Sequence, residues 1–125
     1  MKKVLLIGIL VGLFFQFFTF GVNAQILINE FLPKPNPEWV EFLNQSSGEI
    51  DLGNYFFDDD ADFNSDSGSS SKISLQGIMS AGSFCYWEMN SFLNDGGDVP
   101  TIFALNGDIS DTYIYSSASA GLSYS

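Results

Sequence analysis

Histidine is missing from all 125 residues, which removes the commonest general base and the commonest zinc ligand together. Cysteine occurs once, as Cys85, so the chain cannot staple itself with a disulfide. A small apolar core residue is the plainer reading of that thiol, against a reactive one. Basic residues are scarce, four Lys and Arg against fifteen Asp and Glu, for a net charge of −11. A surface of that sign repels phosphate backbones, and nucleic acid is therefore excluded as a partner. Beyond residue 24 no window holds a convincing 3.6-residue apolar period, which argues against a helical protein.

What is present begins with a leader. Lys2 and Lys3 precede an apolar run from Val4 to Phe20, and Gly21, Val22, Asn23 and Ala24 lead out of it. A charged head, an apolar middle and a small-residue exit are the marks of a secretory signal peptide, with cleavage expected after Ala24. The alternative is a retained transmembrane anchor, because the run nearly reaches the roughly 20 residues that a bilayer requires. Gln16 and Thr19 interrupt it. Removing residues 1–24 leaves two basic residues, Lys34 and Lys72, against fifteen carboxylates, a net charge of −13. The remaining stretch, 25–125, is the length of one domain. A secreted or cell-surface location follows, with membrane contact only through an uncleaved leader.

From Gln25 onward, short apolar segments alternate with Gly, Pro, Asn, Asp and Ser, the pattern of an all-β fold. Gln25 to Phe31 alternates Ile26, Ile28 and Glu30 against Leu27, Asn29 and Phe31, and Pro33, Pro35 and Pro37 stop it. In Glu38 to Asn44, Val40 and Phe42 are expected to face the core, with Trp39, Glu41 and Leu43 opposite and Glu38 on the solvent side. Further strands are predicted over 50–57, 72–75, 83–89, 101–105 and 111–115. Asn106-Gly107 is a hairpin signal. About seven strands at this spacing predict an immunoglobulin-like antiparallel β-sandwich.

The string ILINEFLPKPNPEWVEFLN resembles the opening of the lamin tail domain as found in bacterial and archaeal exported proteins. The matching positions are Asn29-Glu30, the prolines from Pro33 to Pro37, Glu38-Trp39 and Val40 to Asn44. Ile50 to Tyr55 is similar to that family's third strand, the stretch from Ile78 to Trp87 to its apolar-x-x-Gly segment, and Leu93 to Val99 to its Leu-Asn-x-x-Gly-Asp turn. The resemblance spans 25–125 and implies an immunoglobulin-like fold with a role in interaction or attachment. It carries over no catalytic residue. Family members continue past a Gly-x-Ser-Tyr-Ser-like segment, here Gly121 to Ser125, into a closing strand. Ending at Ser125 fits a fragment, a truncated product or a sandwich with one uncovered edge, and an uncovered edge invites strand addition.

Three constellations could carry function. Asp58, Asp60, Asp62, Asn64 and Asp66 offer oxygens at alternate positions of a polar loop, a pattern suited to calcium. The loop is not an EF-hand, since Phe63 and Ser69 stand where Gly and Glu belong. A solvated, mobile surface loop is the competing reading, and no other cofactor is expected. Trp39 beside Glu41 could form an amphipathic patch for a protein, envelope or glycan partner. A glycosidase-like pair drawn from Glu30, Glu38, Glu41 and Glu88 needs a cleft that a domain of this size hardly provides. The sequence therefore reads as a non-catalytic binding module, with a calcium-stabilised structural domain and a small hydrolase as alternatives.

Overall fold

The computed structural model describes residues 25–65 and 68–125, so the leader assigned to 1–24 and the candidate ligand Asp66 lie outside the described residues. Nine strands occur among these residues: β1 (Ile26–Leu32), β2 (Glu38–Asn44), β3 (Ile50–Asp51), β4 (Tyr55–Asp58), β5 (Ile73–Ser74), β6 (Ile78–Met79), β7 (Phe84–Met89), β8 (Thr101–Ala104) and β9 (Ile109–Thr112). Every pairing is antiparallel. One sheet runs β1-β2-β7, the other β5-β4-β8-β9, and β3-β6 form a two-stranded ribbon. The all-β sandwich expected from the sequence is the architecture observed. No helix among the described residues is long and apolar enough to cross a membrane.

The core forms where the two sheets face each other. Phe42 of β2 meets Phe57 of β4 edge to face at 5.5 Å, and Phe57 stacks on Phe92 at 5.5 Å. Val40, Phe42, Phe57 and Ile102 have no exposed surface. Burying each such side chain contributes on the order of 2–3 kcal/mol.

Strict alternation along β2 decides what faces this core. Val40 and Phe42 point inward as expected, but the same period carries Glu38 and Asn44 inward with them, at 3% and 0% exposure. The solvent-side placement expected for Glu38 is thus overturned. Its Oε2 accepts the amides of Phe92 and Leu93, at 2.9 and 2.7 Å, which offsets the cost of burying a carboxylate. Asn44 is satisfied in the same way. Its Nδ2 donates to the carbonyls of Gly48, Met79 and Ser80, and its Oδ1 accepts from Ser46. This one side chain ties β2 to the following turn and to β6.

Strand β1 departs from simple alternation. The pairing with β2 shifts between Ile28 and Glu30, so Asn29 is an extra residue. Such a bulge flips the parity of everything beyond it. Phe31, expected on the face opposite Ile26 and Ile28, therefore joins them in the core at 0% exposure. There it gathers Tyr113, Tyr115 and Tyr124 at 5.1, 5.5 and 5.3 Å. Tyr124 also exchanges two backbone hydrogen bonds with Phe31.

Three further expectations are corrected. The extended stretch over 50–57 is broken by a 3-10 turn at Leu52–Asn54, where the Asp51 carboxylate accepts the Gly53 amide at 2.9 Å. The last strand lies at Ile109–Thr112 rather than 111–115, because the hairpin turn after β8 is tight. Ala104 N–H donates to Asp108 O, and Gly107 sits at φ 87° with its Cα against the Phe63 ring. Finally, the acidic stretch is not simply a surface loop: Asp58 and Asp59 are fully buried, and Phe63 packs on Phe56 and Phe103.

Candidate functional site

The sheet β1-β2-β7 has an outer face built by register. Residues Leu32, Trp39 and Glu88 form one row across it, Glu30, Glu41 and Tyr86 the next, and Leu27, Leu43 and Phe84 the third. Aromatic and apolar side chains thus surround a carboxylate stripe. Trp39 and Tyr86 lie diagonally across β2 and β7 with ring centroids 5.8 Å apart. Phe84 and Tyr86 are 57% and 53% exposed.

Polar contacts orient this face. The bulge residue Asn29 donates Nδ2–H to Glu41 Oε1 at 2.7 Å, and the Tyr86 hydroxyl donates to Glu88 Oε1 at 2.8 Å. Desolvation and the bonded Glu88 push the Tyr86 hydroxyl pKa up, which keeps it a donor. Glu30 and Glu41 are directly opposed across β1 and β2. Like charges so placed repel, and an incoming cation would relieve them. Trp39 and Glu41, singled out from the sequence, do share this face. Tyr86, Phe84 and Asn29 were missed, because only the pairing of β7 with β2 and the bulge in β1 bring them there. At the rear of β7, Cys85 is partly buried, and burial raises its thiol pKa.

A second cluster sits at the end of β4. Carboxylate oxygens of Asp58, Asp59 and Asp60 lie within 4.8 Å of one another. Of the alternating set read from the sequence, Asp58 and Asp60 converge here. Asp62 is not in the group. Its carboxylate accepts from the Asn64 and Ser65 amides at 3.1 and 3.2 Å, and hydrogen bonds, with Ser65 foremost, hold its pKa down. Asp59 was overlooked, although three consecutive aspartates leaving a strand were a visible signal. Its Oδ2 accepts from Ser69 N, Ser69 Oγ and Ser70 N at 2.9, 2.8 and 3.0 Å. Nearby, burial and the Asp59 charge push the Asp98 carboxyl pKa up, although hydrogen bonds from Asn94 and Val99 pull against them. Burial and the Asp98 charge raise that of the Tyr115 hydroxyl, which donates to Asn94 O at 2.7 Å.

Set against known proteins, the chain matches no family model and no curated protein.

Proposed function

We propose that this chain is an exported, non-catalytic binding module of lamin-tail type, whose contact surface is the outer face of β1-β2-β7. The observation that carries the reading is the Trp39–Tyr86 pair, flanked by the exposed Phe84 and set beside the opposed Glu30 and Glu41. Large aromatics on a rigid sheet bury much area at small entropic cost, which is why they dominate protein interfaces. The carboxylate stripe favours a protein partner that presents Lys or Arg next to apolar side chains. Export rests on the leader-like residues 1–24, and attachment on the resemblance of residues 29–44 to lamin tail domains.

The test is affinity capture from envelope extract with wild type, Trp39→Ala, Tyr86→Ala and, as a control on another surface, Ile114→Ser, which is 75% exposed. A partner bound by wild type and Ile114→Ser should be released roughly tenfold more readily by the two sheet variants, and more so at high salt. Capture that survives both sheet variants defeats the assignment of this surface. Capture that glycosidase abolishes and protease spares defeats the protein partner.

A further inference from the structure

We propose that Asp58, Asp59 and Asp60, at the end of β4, bind a calcium ion. The three carboxylates converge to within 4.8 Å. Two oxygens on opposite sides of a calcium ion, each about 2.4 Å from it, stand about 4.8 Å apart. Convergence alone does not make a site, and the independent observation is Asp59. This side chain has no exposed surface, its Oδ2 already takes three donors, and its Oδ1 has no hydrogen-bond partner. Asp59 also enters no ion pair among the described residues. A buried carboxylate oxygen without a donor is costly, and a coordinated cation is the group that satisfies it beside two further carboxylates.

An all-oxygen donor set, in a chain without histidine, selects a hard cation. Three carboxylates binding through one or both oxygens, completed by water, meet the six to eight ligands calcium takes. Such an ion would tie segments distant in sequence. Asp59 O accepts the Val99 amide at 3.1 Å, Ser70 Oγ donates to Phe92 O at 3.0 Å, and Asn94 Nδ2 donates to Ser69 Oγ at 3.0 Å. The ion would thus lock the loop after β4 onto the loop before β8.

Calcium chloride is titrated into the chelator-treated full chain while thermal unfolding is followed, with magnesium chloride and sodium chloride of matched ionic strength as controls. The expected result is a melting temperature that climbs with calcium concentration, and one ion bound per chain by calorimetry. Asp60→Asn and Asp59→Asn should weaken binding by roughly tenfold or more, while Asp62→Asn stays within about twofold of wild type. Should Asp59→Asn fail to fold, Asp60→Asn decides. The proposal is overturned by the absence of a calcium shift beyond the sodium control at millimolar concentration, or by an equal response to magnesium. Unchanged affinity in Asp60→Asn, or a loss in Asp62→Asn as large as in Asp60→Asn, overturns it too.

Discussion

The carboxylate of Glu38 carries two backbone amides on one oxygen inside the sandwich. Removing it strands the Phe92 and Leu93 N–H groups in a site that water reaches poorly, and an unsatisfied buried donor costs about 1–3 kcal/mol. Glu38→Ala should therefore destabilise by about 2–4 kcal/mol, and Glu38→Gln, which keeps an acceptor oxygen, by about half as much. Urea unfolding at neutral pH measures both, and a Glu38→Ala loss under about 0.5 kcal/mol would contradict the role given to this side chain. The preference of a carboxylate for water points Glu38 outward, but the inward Val40 and Phe42 two and four residues on already fix its face. Asp59 was missed for a related reason. Counting alternate positions selects 58, 60 and 62, whereas the donors that hold Asp59 come from Ser69 and Ser70, ten and eleven residues away.

At the scale of elements, β2 was legible because its alternation is uninterrupted and its pairing with β7 carries no shift. Strand β1 was not, since the residue that disturbs its period, Asn29, has no marking of its own and is defined only by the partner opposite. Deleting Asn29 should remove the bulge and leave Phe31 in the core, because Ile28, Glu30 and Phe31 would then alternate inward, outward, inward against Phe42, Glu41 and Val40. The expected loss is about 0.5–1.5 kcal/mol, that of the Asn29–Glu41 hydrogen bond, read as a small drop in the urea midpoint. A deletion variant destabilised by about 3 kcal/mol or more would mean that Phe31 had left the core. Strand β3 was merged with β4 in the single stretch read over 50–57, and β6, only two residues long, was not seen because so short a segment has no measurable period. Tyr86 and Phe84 were not singled out because nothing local distinguishes the outward face of β7 from its inward one.

For the molecule as a whole, charge sets the response to pH. The Asp98 carboxyl has a raised folded-state pKa, through burial and the neighbouring Asp59. Its stabilising contribution is complete below the unfolded value near 3.9 and disappears as pH rises through the folded one. Asp98→Asn, studied in chelator, should therefore raise the melting temperature at pH 7 and leave it nearly unchanged at pH 3.5. A variant less stable than wild type at pH 7 would show that the hydrogen bonds from Asn94 outweigh the charge. The contact between the first strand and the last has its own consequence. Ile28 N–H donates to Asp111 at 2.8 Å, and Ser110 Oγ donates to Ile26 O at 3.0 Å, across separations of 83 and 84 residues. At about 5–20 residues per second, a ribosome that has made Ile28 needs about 4–17 s more to make Asp111. Throughout that interval the nascent chain holds its opening strand without its distant anchor, as an extended ribbon still pliant enough to be threaded.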